Sequence, residues 1–136
     1  MSDRQRLAES ELTNQIIGAF FRVHNELGYG FLEHPYVHAM ERALRKAKLT
    51  VGREVGVRLY YDGDEIGQYR LDMIVNERVV VEIKSSFELH HSAHRQLYNY
   101  LRASNLEVGL LLHFGPRARF FRAFCPSHRK PHRIHP

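Results

Sequence analysis

The sequence predicts an α/β (α+β) single domain: a mixed β-sheet flanked by helices, with elements in the order ααβββαββ. Three observations lead there. The apolar residues recur at helical spacing near the start of the chain, then alternate with period two through its middle. A strand–helix–strand run follows, and such a crossover sets its two strands parallel. The 136 residues fit one domain, and 43% hydrophobic with 26% charged residues excludes wholesale disorder.

In the first helix, Leu12, Ile16, Phe20, Val23 and Leu27 form a stripe that Ile17 and Phe21 widen. Ser10 or Thr13 is the expected cap at its start, and Gly28 the left-handed stop at its end. A second helix is expected from Glu33 or Pro35 to Lys46, with Tyr36, Val37, Met40, Ala43, Leu44 and Ala47 inward. Val55, Val57 and Leu59 then alternate with polar neighbours, and Asp62-Gly63-Asp64 makes a turn. Ile66 to Val75 and Val79 to Lys84 complete an antiparallel meander. From His91 to Ala103 the period is again helical, with Leu97, Tyr100 and Leu101 inward. Val108 to Phe114 is nearly all apolar, as in a strand covered on both faces, and Phe120 to Phe124 supplies a last strand. The domain is read as residues 1–124, followed by a basic, Pro- and His-rich tail, 125–136, expected to be flexible.

Several classes drop out. Cys125 is the only cysteine, so neither an internal disulfide nor a cysteine-based zinc cluster can form. No apolar run approaches the ~20 residues that span a bilayer, and the first residues lack a secretion signal. The expectation is a soluble, cytoplasmic protein with no membrane partner. The charge is uneven: residues 1–114 carry fourteen basic and fifteen acidic groups, whereas residues 115–136 carry six basic groups and no acid. Those six, Arg117, Arg119, Arg122, Arg129, Lys130 and Arg133, suit a polyanion such as nucleic acid, or else simply solubilise the terminus.

Two carboxylates fall inside apolar strands. In YRLDMIV, alternation places Leu71, Met73 and Val75 on one face and Arg70, Asp72 and Ile74 on the other. In VVVEIKS it separates Val79, Val81 and Ile83 from Val80, Glu82 and Lys84. Burying a lone carboxylate is unfavourable, so Asp72 and Glu82 need donors, a counter-charge or a metal. A three-residue loop, 76–78, sets Asp72 opposite Glu82; a two-residue loop sends Glu82 to the other face. The turn residues leave both open, and the three-residue loop is expected because it groups the costly side chains. Two such carboxylates on an open sheet edge, without cysteine, favour magnesium or manganese over zinc.

Asp72, followed ten residues later by Glu82-Ile83-Lys84, resembles the Asp…Glu-x-Lys signature of the PD-(D/E)XK nuclease superfamily. Gly30-Phe31-Leu32-Glu33-His34-Pro35-Tyr36 is similar to the Gly-x-x-Glu-x-x-Tyr motif of the GxxExxY family within it. Gln96-Leu97-Tyr98-Asn99-Tyr100 resembles the Gln-x-x-x-Tyr motif of RecB-like and Cas4-like nucleases. The resemblance covers about residues 10–124 and implies a restriction-endonuclease-like fold with metal-dependent phosphodiester cleavage. Met73, beside the aspartate, and the basic tail depart from the pattern without touching the motif residues.

The chemistry of the residues is compatible. Asp72 and Glu82, with the Ile83 carbonyl, are candidate ligands of Mg²⁺ or Mn²⁺, and Lys84 can orient water or neutralise developing charge. Glu33 is a candidate further ligand, to the metal or its water. Gln96 and Tyr100, one helical turn apart, are candidates to orient the nucleophile and to bind phosphate. Each has a plainer role open to it: Glu33 complements a helix dipole, Glu82 and Lys84 form an ion pair, and Tyr100 packs in the core. The expected partner is nucleic acid, DNA ahead of RNA, and so small a domain leaves room for a homodimer or a protein partner. A non-cleaving nucleic-acid-binding or assembly module is the alternative function. A zinc site from His34 with His38, or His90 with His94, is a further one, and His91 or His94 is a candidate phosphate contact.

Overall fold

The computed structural model describes residues 8–127 and Lys130. Helix α1, Ser10–Leu27, buries Leu12, Ile16, Ala19, Phe20 and Val23. Gly28 ends it at φ 70°, its N–H returning to the His24 carbonyl at 2.8 Å. Its start differs from expectation: the preceding residue is Glu9, in left-handed conformation, and no side chain caps the helix. Ser10 is already helical, and the Thr13 hydroxyl donates to the Ser10 carbonyl instead. Helix α2, Glu33–Lys46, begins at the earlier of the two expected residues, so Pro35 lies in the first turn, where no intrahelical N–H is required.

Five strands follow the expected order: β1 (Val51–Tyr61), β2 (Asp64–Val75), β3 (Val79–Ser85), β4 (Val108–Phe114) and β5 (Ala118–Phe124), with helix α3 (Ser92–Ala103) between β3 and β4. They form one sheet in the spatial order β1-β2-β3-β4-β5, antiparallel throughout except for β3 and β4. That parallel pair is the one joined by the α3 crossover. The architecture is α+β, a mixed sheet with helices on both faces. Helices α1 and α2 cover the face lined by Met73, Val75, Val79, Val81 and Ile83. Helix α3 covers the face of Val80 and Leu111. Strand β4 is buried along its whole length, as its apolar run requires.

The long β1–β2 hairpin corrects one expectation. Its ladder runs Arg53↔Met73, then Val55↔Leu71, skipping Glu54 and Asp72; Glu54 takes φ 53°. Alternation breaks there. Met73 and Val75 face α1 and α2, but Leu71 joins Tyr69 and Val57 on the α3 side.

Candidate active site

The loop between β2 and β3 has three residues, with Asn76 and Glu77 both at positive φ, and the pairs Val75↔Val79, Ile74↔Val80 and Met73↔Val81 follow. Continuing this register sets Asp72 opposite Glu82, but the ladder stops one pair short. Where the strands part, the Ile83 N–H donates to Asp72 Oδ2 at 2.7 Å, a side chain standing in for a backbone partner. The site therefore lies beside the central strand of the sheet rather than on the open edge the sequence suggested; the parting supplies the opening.

Glu82 is only 7% exposed. Its carboxyl is pushed up to about 9, mainly by burial, then by its hydrogen bond to Asp72 and that group's charge; Lys84 acts against the rise and Glu33 adds to it. Lys84 Nζ lies 3.9 Å from Glu82 Oε2, close enough to respond to its charge. Asp72, Glu82, the Ile83 main chain and Lys84 thus converge. Glu33 stands one residue beyond: its Oε2 accepts the Ser85 N–H at 3.4 Å.

The loop before α2 is held in place by Tyr36. This buried ring stacks on Phe114 at 4.1 Å; its hydroxyl donates to the Gly28 carbonyl at 2.5 Å and accepts the Phe31 N–H at 3.3 Å. The Ser85 hydroxyl donates to the Phe31 carbonyl. Tyr36 and Ser85 together fix the segment that delivers Glu33 to the end of β3. Sequence reasoning placed Tyr36 in a motif and on the buried face of its helix but gave its hydroxyl no task. Ser85, which has no Asp-His companions to make it a nucleophile, had no structural role assigned, since a serine at a strand end carries no signal of its own.

His113 was missed too, although a histidine inside an apolar strand is a readable anomaly. It pairs with Lys84 on β3 and Arg119 on β5, forming a row across three strands. Its buried ring donates from Nε2 to the Ser86 carbonyl at 2.9 Å, leaving Nδ1 unpartnered. Burial lowers its pKa, so the neutral ring tethers the turn after β3.

Tyr100 packs with Leu97 and Leu101 under α3, and burial raises its pKa. Gln96, one turn earlier, is exposed, so the two occupy different surroundings. Of the basic set, Arg117 and Arg119 are exposed. Arg122 donates to the Ala8 carbonyl at 2.6 Å and to the Thr13 hydroxyl, bracing the start of α1. Lys130 donates to the Ser104 carbonyl at 2.8 Å and to that of Leu106. Two of the six cations expected on nucleic acid, Arg122 and Lys130, are thus committed to protein oxygens; Arg129 and Arg133 lie outside the described residues.

His34 and His38 bring their Nε2 atoms to 2.9 Å, whereas His90 turns its Nδ1 to Ser92 and His94 packs against Phe121. Among the described residues, no group of three or more His, Cys, Asp or Glu side chains is gathered to hold a metal. The donors at the parted strands are two carboxylates and a main-chain carbonyl. That set fits a magnesium-type ion, which retains several waters and uses one or two carboxylates. The mutual influence of the two carboxyl groups also fits, since a dication between them would offset the negative charge of Asp72 that helps to push Glu82 up.

A profile of the PD-(D/E)XK nuclease superfamily matches residues 10–123, and the chain belongs to that superfamily. Two solved structures share the fold. The crystal structure of SSO0001 aligns at a TM-score of 0.56 and 23% identity, covering 90% of this chain and 62% of that one. This chain therefore spans less than two-thirds of SSO0001. The alkaline exonuclease LHK-Exo from Laribacter hongkongensis aligns at 0.51 and 9% identity, covering 88% of this chain and 72% of that one. A search of curated proteins returned no match. No described helix is long and apolar enough to cross a membrane.

Proposed function

We propose that this protein is a nuclease of the GxxExxY type that hydrolyses phosphodiester bonds with the help of Mg²⁺ or Mn²⁺. Residues 1–124 are the catalytic domain, 125–136 a basic extension, and DNA is the favoured substrate over RNA. The observation that carries this reading is the meeting of Asp72, Glu82 and Lys84 where β2 and β3 part. A partner that only bound nucleic acid would have no need of two carboxyl groups in contact, one of them buried.

Asp72, Glu82 and the Ile83 carbonyl would hold the cation, which when bound supplies Lewis acidity and a lowered water pKa. Lys84, at the rim, is placed to orient water and to offset charge gathering on the phosphoryl oxygens. Glu33 orders Ser85 at the end of β3 and can accept a proton or hydrogen bond from bound water. Tyr100 and Gln96 serve on α3, Tyr100 by fixing the helix against the sheet and Gln96 from its exposed side. Arg117 and Arg119 meet the backbone of the substrate beyond the cleavage point.

The test is cleavage of labelled DNA and RNA by the purified protein with Mg²⁺ or Mn²⁺. Asp72→Ala and Lys84→Ala are each expected to lower the rate by about 100-fold or more, with the fold intact by circular dichroism. Cleavage at the wild-type rate in both variants would remove the site assignment. Tight, metal-independent binding with no cleavage under any condition would leave the non-catalytic module in its place.

A further inference from the structure

Exposed apolar rings gather at the end of β3. Phe31 is 50% and Phe87 71% exposed, and Tyr29 and Leu32 stand in water beside Phe31. Both phenylalanines sit on restrained backbone. The Phe31 N–H is bound by the Tyr36 hydroxyl and its carbonyl by the Ser85 hydroxyl. Phe87 lies in the turn pinned on one side by His113 to the Ser86 carbonyl, and by the Ser86 hydroxyl donating to the Glu88 carbonyl at 2.6 Å. The Phe31 ring meets the buried Tyr36 ring edge-on at 6.0 Å, and a surface that anchors the backbone beneath two exposed aromatic rings is arranged for contact.

The surroundings identify the contact. Lys84 immediately precedes Ser85, and Arg119, across the neutral His113 in the same row of three strands, adds a second, exposed cation. Arg117 is exposed in the β4–β5 turn at the same end. Flat rings set among cations are how proteins hold single-stranded nucleic acid: bases stack on the rings while phosphates meet the cations. In a duplex the faces of the bases cover one another and the rings have nothing to stack on.

Building on the nuclease reading, we infer that the substrate is single-stranded nucleic acid, with bases stacked on Phe31 and Phe87 and phosphates on Arg117 and Arg119. The surface selects unpaired strands and leads them to Asp72 and Glu82.

The experiment measures fluorescence anisotropy of a labelled single strand and of the same strand in a duplex, in EDTA so that neither is cut. Wild type is expected to bind the single strand about tenfold or more tightly than the duplex. Phe31→Ala with Phe87→Ala should lose about tenfold on the single strand and less than about twofold on the duplex. Phe31→Leu with Phe87→Leu, which keeps apolar bulk without a flat face, should lose affinity comparably. Should a double variant misfold by circular dichroism, Phe87→Leu alone, expected to lose about threefold, decides. Equal wild-type affinity for both forms, or full single-strand affinity in the leucine variant, overturns the inference; the latter would point to a protein ligand for the patch. Parallel assays with Mg²⁺ separate the two readings. Asp72-dependent cutting with ring-independent binding sinks the single-strand inference alone, whereas ring-dependent binding without cutting sinks the nuclease reading alone.

Discussion

Glu82 carries the sharpest consequence at the scale of one residue. Its ordinary value is 4.5 and its carboxyl in the fold is pushed up to about 9, by burial first and then by Asp72. Between those values the folded chain binds a proton that the unfolded chain has released. Stability from this group is complete below the lower value and declines as pH rises toward the upper one. Glu82→Gln fixes the neutral form. In EDTA, the melting temperature of wild type should therefore fall behind that of the variant as pH rises from about 5 to about 9, by a gap that widens with pH. Added Mg²⁺ should raise the wild-type melting temperature at about pH 8, since a ligand at 100 times its Kd contributes about 2.7 kcal/mol, and should scarcely move the variant. A gap that stays constant across the range would show that the carboxyl is already ionised, contrary to its burial.

Among elements, the close approach of α3 to β4 decides whether the crossover helix stays in place. Gly109 faces Leu97, and a β-carbon there would stand 2.8 Å from Leu97 Cδ1 and 3.2 Å from Cγ. Leu97 is 1% exposed, so it has no room to withdraw. Gly109→Ala is expected to lower stability by about 1–3 kcal/mol, and Leu97→Ala by about 2–5 kcal/mol through the cavity it leaves. Together they should cost less than their sum, because the new methyl group occupies part of that cavity; urea unfolding of the three variants measures the coupling. Strict additivity would mean the contact does not fix the helix. This arrangement was legible only as far as periodicity reaches. The helical stripes, the period-two alternation with its turn residues and the run VGLLLHF revealed all eight elements, and the strand–helix–strand order revealed the parallel pair. The start of β1 at Val51 was hidden because Arg53, bound to Glu41 at 2.7 Å, interrupts the apolar alternation in that strand. The turn of Leu71 to the α3 face was hidden because it depends on Glu54 at φ 53°, a conformation that a glutamate in a sequence does not announce.

Across the whole molecule, chemistry was read where a residue contradicted its surroundings and lost where it agreed with them. Asp72 and Glu82 stood out as charges in apolar strands, and one register choice brought them together. The cations near the C-terminus looked alike in sequence, yet the fold divides them. Arg122 braces Ala8 and Thr13 against β5, whereas Arg117 and Arg119 are exposed beyond β4. Their substitutions should consequently differ in kind. Arg117→Ala with Arg119→Ala should weaken single-strand binding and reduce the slope of log K against log salt by roughly 1 to 2, since each neutralised phosphate accounts for about 0.7. Its melting temperature should stay near wild type. Arg122→Ala should leave the salt slope unchanged and lower stability by about 1–3 kcal/mol, the range for losing charged hydrogen bonds to a carbonyl and a hydroxyl. Salt titrations and thermal melts of the two variants make the comparison. If Arg122→Ala flattened the slope while the double variant did not, the polyanion would lie along the α1 side of the sheet, away from Lys84, and the path drawn for the substrate would be wrong.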